Sequence, residues 1–248
     1  MIKKRFKSVM ITTSVLILWY VIAIINQNVL LPDPLKVLNK IYNNFSDVKY
    51  HLLYSVMRLT GALLITFIIG IVMGVVLGLY PKLNKTLSPI VYMTYPVPKM
   101  ALLPFVMIVF GFGEATKVIM IIMITLFPVI INVRDEVMNI DSGVFDVMVS
   151  LGSSKLEIIK NIVLPSVLPT ILTTLRISVG IALSVLFFVE NYGTQYGLGY
   201  SIMDYWMRAD YPGVYASIIL ISLLGIIMYK IIDYAELKIC AWKRNGGI

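Results

Sequence analysis

Six apolar stretches, each close to the length needed to cross a bilayer, constrain this chain more than anything else in it. They lie at about 9–25, 59–80, 87–110, 118–133, 166–189 and 214–232. A helix rising ~1.5 Å per residue needs roughly 20 residues to traverse ~30 Å of hydrocarbon. Of the 248 residues 59% are hydrophobic and only 14% charged, which excludes a water-soluble globule. Six spans consume about half the chain, and the connections left over are too short for a second folded unit. The expectation is an all-α integral membrane protein with six transmembrane helices, one domain over residues 1–248.

Charge then sets direction. Lys and Arg number 21 against 13 Asp and Glu, a formal net charge of +8. In a soluble protein that excess suggests nucleic acid, but in a multi-span chain it reflects cytoplasmic loop bias, so the lipid bilayer and not nucleic acid is the expected partner. Cys240 and His51 are each the only residue of their kind. Disulfide frameworks, zinc sites and iron–sulfur clusters cannot be assembled from them, and neither metal nor cofactor is expected. The first apolar stretch follows Lys3, Lys4, Arg5 and Lys7 as a signal peptide would. Its core is long, however, and no small-residue cleavage site follows in IAIINQNVLL, so it is kept as a membrane helix. With the N-terminus inside, the inner connections hold those four cations and Lys82, Lys85, Arg134, Lys155, Lys160, Lys230, Lys238, Lys243 and Arg244; the outer ones hold Lys36, Lys40, Lys49, Arg58, Lys117 and Arg208. That bias places both termini in the cytoplasm.

Local signals punctuate the spans. LPDPLKVLNKIYNNF reads as a short helix at the outer interface, with Asp33 as N-cap, Pro34 at the first helical position, and Leu35, Leu38, Tyr42 and Phe45 on one face. Gly70, Gly74 and Gly78 recur every fourth residue in the second stretch and admit a close helix neighbour, within the subunit or in a dimer. Pro96, Pro98 and Lys99 interrupt the third stretch and predict a broken span facing a cavity or protein.

The longest inner connection, residues 134–165, runs against the general charge trend. Arg134, Lys155 and Lys160 face Asp135, Glu136, Asp141, Asp146 and Glu157, a balance that anionic headgroups would not attract. Phe145, Val149, Gly152, Leu156, Ile159 and Val163 step by three or four, as on one helical face. Gly152 suits a left-handed position after one short helix. Ser154 with Glu157 forms a capping box opening the next. The pattern predicts a helix–turn–helix that docks on another protein or lies on the membrane surface.

These residues resemble the cytoplasmic loop of ABC importer permeases, in which Glu-Ala-Ala is followed after three residues by Gly and after nine more by Ile-x-Leu-Pro. Asp146, Gly152, Ile162, Leu164 and Pro165 stand at that spacing. Asp146, Val147 and Met148 replace Glu, Ala and Ala, a shorter acid and bulkier side chains at the head of the motif. LLPDP, SVMRLTGA, MALLPFVMIVFGFGEATK and LPTILTTLRISVGIALSVLFFVENYGTQYGLGY are similar to the nitrate, sulfonate and taurine type of permease. The resemblance implies a type I importer permease of a prokaryotic cytoplasmic membrane, with a cytoplasmic coupling helix around Asp146–Gly152. Its implied partners are cytoplasmic ABC ATPase subunits, an extracytoplasmic substrate-binding protein and a second permease, taken as a homodimer. The chain has no GxxxxGK[ST] loop and is expected to be no enzyme.

Two readings stay open for the charges inside the spans. Arg176 sits near mid-membrane, where an arginine costs about 2.5–3.5 kcal/mol on insertion scales, and either lines an anion path or is bonded to helix carbonyls or an acid elsewhere. Glu190 lies fourteen residues on, about 21 Å along the same helix, too far to pair with it, and is expected to brace an outer gate. Lys99 is read as a structural cation or part of the path. The tyrosine-rich segment 191–215 is an interfacial belt, a re-entrant plug or a docking surface. An ion-coupled secondary transporter is the competing function; it calls for inverted repeats, which the sequence does not show, and leaves the acidic loop unexplained.

Overall fold

The computed structural model describes residues 2–26 and 28–241, so Lys243 and Arg244 of the charge argument lie outside the described residues. Among the described residues every regular element is a helix: α1 (Ile2–Asn26), α2 (Pro34–Asn43), α3 (Phe45–Leu79), α4 (Pro81–Thr94), a 3-10 turn (Lys99–Leu102), α5 (Leu103–Phe110), α6 (Glu114–Met138), α7 (Ser142–Ser150), α8 (Lys155–Ile158), a π-helical segment (Ile159–Val163), α9 (Leu164–Val189), α10 (Leu198–Met207) and α11 (Tyr211–Ile239). Four runs are long and apolar enough to cross a membrane: α3, α6, α8 through α9, and α11. The third apolar stretch is a bent pair, α4 and Lys99–Phe110, meeting at 82°. Its break falls at Tyr95-Pro96-Val97-Pro98, where prolines remove helical donors and disfavour helix in the residue before each. The remaining apolar helix is Thr13–Asn26 within α1.

Several helices overrun the apolar stretches that announced them. α3 begins at Phe45 and α6 runs on to Met138, so Arg58, Lys117, Arg134, Asp135 and Glu136 are helical residues and not loop charges. The connection between α6 and α8 shrinks to residues 139–154, whose only charged side chains are Asp141 and Asp146. α2 starts as its sequence predicts. Asp33 accepts from the Lys36 N–H at 3.0 Å, which holds its carboxyl below the ordinary value, and Pro34 follows it.

The core is built on the α3–α6 seam. A β-carbon on Gly70, Gly74 or Gly78 would fall 2.6 Å from Val129, 2.7 Å from Val133 and 2.5 Å from Val137 respectively, so each glycine seats one valine of α6. Thr66 and Thr125 share a hydrogen bond of 3.1 Å in the same seam. The four-residue glycine spacing therefore serves packing within the subunit. α6 packs in turn on α9, where Asn132 donates to Thr174 at 3.1 Å, and α9 packs on α11, where Gly225 receives Leu183 and Gly180 lies against the Tyr229 hydroxyl. α1 lies at the periphery, its Trp19 stacked on Tyr215 at 5.8 Å and donating to the Pro32 carbonyl at 3.2 Å. α7 and α10 mark opposite ends of the bundle.

The seam makes a paired prediction. Gly74→Ala should destabilise by about 1–3 kcal/mol, because its β-carbon also meets the Ile130 carbonyl at 3.0 Å and neither neighbour is a flexible side-chain tip. Gly61→Ala, in the same helix with nothing within 4 Å, should instead stabilise by about 0.5–1 kcal/mol. Thermal or denaturant unfolding in micelles compares the two; equal effects would remove the seam as the cause.

Candidate functional site

At one end, α7 is held as a rigid outrigger. Asp141 caps it, accepting from the Gly143 N–H at 2.6 Å. Gly152 stops it at φ +77°, where a side chain would be strained. The Ser153 N–H then donates to Met148 O at 3.0 Å and the Gly152 N–H to Val149 O at 2.9 Å, the closing pattern of a glycine-terminated helix. The capping box is present: Ser154 Oγ accepts from the Glu157 N–H at 3.3 Å, and the Ser154 N–H donates to Glu157 Oε2 at 2.7 Å. Phe145 and Ile158 pack against the core cluster while Val144, Val147, Leu151 and Leu156 are exposed.

The six residues stepping from Phe145 to Val163 are consequently not one continuous face. The turn at Gly152 splits them, burying Val163 and exposing Val149 and Leu156. Asp146 and Val147 lie on the open side of α7 and Met148 is half-buried. Ile162 lies in the π-helical segment, and Leu164 and Pro165 open α9 directly after it. Pro165 has no N–H to give a regular helix, and one wide turn before it accommodates the ring.

At the other end the structure assembles a group that the sequence reading left scattered. Glu190 is fully buried beneath the 190–197 turn. Its carboxylate accepts from Arg58 Nη1 at 2.8 Å and from the Gly199 N–H at 2.8 Å, and Ser55 Oγ stands 2.8 and 3.0 Å from its two oxygens. Arg58 also forks onto Glu114, Nε to Oε2 at 2.5 Å and Nη2 to Oε1 at 2.6 Å, and donates to the Tyr196 carbonyl at 2.6 Å and Thr194 Oγ1 at 3.0 Å. Lys117, buried beside them, donates to the carbonyls of Phe112, Gly113 and Gly193 at 3.0, 3.1 and 3.2 Å. Two buried cations are thus balanced by buried Glu190 and by Glu114 at the surface, each with directed hydrogen bonds. Gly197, at φ +137°, closes over the Glu190 carboxylate, which a β-carbon there would overlap at 2.4 Å.

The turn leads into α10, whose Leu198, Gly199, Ser201 and Ile202 are buried against the bundle. The tyrosine-rich segment is thus a helix folded back onto the spans, with Tyr196 stacked on Tyr54 at 5.0 Å and the Gly197 N–H donating to His51 Nδ1 at 3.2 Å.

Lys99 caps the break in the bent pair, donating to the Thr94 and Tyr95 carbonyls at 3.1 and 3.2 Å, with the Phe127 ring centre 5.2 Å away. Arg176 meets two acids on α11, Asp233 at 2.6 Å and Glu236 at 2.8 Å. Its neutralising partners come from a helix over fifty residues away in sequence. Asp233 lies 22 residues beyond Tyr211, the start of α11, about 33 Å along it. That sets Arg176 toward the α7 end of the spans and not at their midpoint. Glu190 and Arg176 do not meet, as their separation predicts.

Arg58 and Lys117 were missed as site residues because each adjoins the start of an apolar stretch. A signal for Arg58 exists in hindsight: Ser55, Leu59 and Ala62 are buried with it, a three-and-four spacing that continues the span's face upstream.

Comparison with known proteins gives a consistent result. The family model described as "Binding-protein-dependent transport system inner membrane component" matches residues 66–239. The formylaminopyrimidine transport permease of Halalkalibacterium halodurans is 26% identical over 93% of both chains. The taurine transport permease of Escherichia coli is 30% identical over 60% of this chain and 58% of its own. Among solved structures, an inward-facing conformation of the MetNI methionine ABC transporter superposes with a TM-score of 0.68 at 18% identity, covering 77% of this chain and 95% of that one, a likeness of fold.

The buried charges predict strong coupling. Arg58→Met should cost about 3–5 kcal/mol, since Glu190 would remain buried without its counter-charge. Adding Glu190→Met to that variant should recover much of the loss. A double-mutant cycle of unfolding in micelles reads the coupling; strictly additive effects would show that the two residues do not depend on each other.

Proposed function

This chain belongs to the binding-protein-dependent transport system inner membrane components and is an integral membrane permease subunit of an ABC importer, and from that premise we propose how it works. Two copies enclose the translocation path, separate cytoplasmic subunits hydrolyse ATP while seated on α7, and a soluble binding protein delivers the solute at the α10 end. Closure of the ATPase pair pushes the helix from Asp146 to Gly152, and the spans swing between outward and inward openings.

The observation that carries this reading is the exposed, rigidly terminated α7–α8 corner. Val144, Val147, Leu151 and Leu156 stand open on it, while two caps and a left-handed glycine fix its shape. An apolar surface held in one conformation suits a partner better than solvent. The net acidity of its connection argues against a resting place on anionic lipid. A second permease copy is supported by Phe105, Ile108 and Phe110 of α5 and Phe188 of α9, all large, apolar and exposed.

Cation placement supports a cytoplasmic α7 end and cytoplasmic termini. With Arg58 and Lys117 buried toward the α10 end and Arg134 toward the α7 end, the α10 side keeps Lys36, Lys40, Lys49 and Arg208 as surface cations. The cargo in this reading is a small sulfonate-, taurine- or nitrate-like anion, resting on likeness to the taurine permease. Pairing of Arg176 with Asp233 and Glu236 gives no support to that residue as the anion's contact.

Gly152→Val tests the coupling. It forces a branched side chain into the left-handed region, at a cost of about 1–2 kcal/mol, and should lower uptake and detach or uncouple the ATPase while the spans still insert. Co-purification of the ATPase and uptake in ATP-loaded vesicles measure the two effects. Uptake that persists without ATP and follows an imposed proton gradient would return the reading to an ion-coupled transporter.

A further inference from the structure

Above the Arg58–Glu190 pair, a cleft of about 520 Å³ opens between the α2–α3 junction and α10. Tyr50, Tyr196, Tyr200 and Tyr205 line it, together with Asp47, Asp204 and Asp210 against Lys40 and Arg208. Both cations are already committed, Lys40 to Asp210 and Arg208 to Asp204, the latter at 2.9 Å. The Asp47 carboxylate makes no hydrogen bond or ion pair among the described residues, and the titratable group its charge acts on is His51, which lines the same cleft. One carboxylate is therefore in excess in a cleft lined by aromatic rings, whose faces attract cations. Two lysines of this chain already use such faces there, Lys40 at 5.1 Å from the Tyr205 ring centre and Lys49 at 5.0 Å from that of Tyr50.

The geometry points to a docking pocket: we propose that the cleft seats a basic side chain, Lys or Arg, of the substrate-binding protein against Asp47. This rests on the importer reading and deepens it. A transported solute fits the cleft less well, because its floor is closed. The Tyr196 carbonyl is held by Arg58, and the Gly197 N–H by His51 directly over buried Glu190. The flanks suit a protein surface, since Tyr42 and Phe45 beside Asn44 and Trp206 and Met207 beside Tyr205 are exposed around the polar centre. A cation drawn to Asp47 would rest on the segment that Arg58 and His51 tie to α3, so docking acts directly on the spans.

The test uses the permease–ATPase complex in lipid nanodiscs with a substrate-binding protein that stimulates hydrolysis by the native complex, hydrolysis without binding protein serving as reference for each variant. Asp47→Asn should raise the half-stimulating concentration of binding protein about tenfold, Asp47→Lys more, and Asp47→Glu little. Added salt should weaken stimulation of the native complex more than that of Asp47→Asn. Stimulation of Asp47→Lys at the native concentration and salt dependence would overturn the proposal, as would a response that tracks the charge of the nanodisc lipid instead. A native complex that no binding protein stimulates would overturn the importer reading, and this inference with it.

Discussion

The α10 end of this protein depends on the burial of Arg58 with Glu190. Moving a carboxylate and a guanidinium out of water is costly, and their attraction repays it only when geometry is good and the remaining donors and acceptors are satisfied. Both conditions hold. Glu190 takes bonds from Arg58, Gly199 and Ser55, and Arg58 spends its donors on Glu190, Glu114, Thr194 and Tyr196. Because these partners lie on α3, on α6 and along the 190–199 segment, satisfying them fixes where α10 folds back. Lys117 adds a second tie by gripping the Gly193 carbonyl from α6. Glu114, whose side chain is 55% exposed, opens the group to water, so the group is anchored from within and hydrated at its edge.

That anchored end is joined to α7 by the close α3–α6 contact. Three glycines on α3 let successive valines of α6 reach its backbone, and Arg134 near the far end of α6 reaches α4 through Ser88 and Tyr92 at 2.9 and 2.6 Å. Interiors packed this tightly shift as bodies and do not bend continuously. Phe145, Ile140 and Ile158 insert into the same core. In the proposed mechanism a push on α7 would pass through this packing to α3 and α6 together.

Features set by neighbours in sequence were legible. The glycine row, the Asp33 cap, the Gly152 turn, the Ser154–Glu157 box and the proline break each depend on residues within one or two turns, and each stands where its pattern placed it. Charge pairing was not legible in the same way. Arg58 finds Glu190 132 residues away, and Arg176 finds Asp233 57 residues away, distances over which periodicity carries no information. Span ends misled for a related reason: hydropathy falls at the first charged residue, whereas the helix continues as long as its backbone is bonded and its charges are paired. Arg58 and Lys117 thus read as connection residues when they are interior ones. The stripe from Phe145 to Val163 failed for the opposite reason, since the turn that Gly152 makes breaks the continuity that its spacing implied.

The charges within the spans bear directly on what can pass. Insertion cost makes any intramembrane cation a candidate contact for an anion, but that argument holds only while the cation lacks a partner of its own. Arg58 and Lys117 are balanced by Glu190 and Glu114, and Arg134 is paired with Asp135. Lys99 spends its donors on two helix carbonyls and faces two rings. Arg176 shares its guanidinium between two acids, Asp233 and Glu236, so it has carboxylate partners of its own. Four of these five cations are thus matched by a carboxylate, and Lys99 is held by carbonyls and rings instead. In the proposed assembly these partnered cations leave discrimination to the hand-over at the α10 end, before the solute enters the spans.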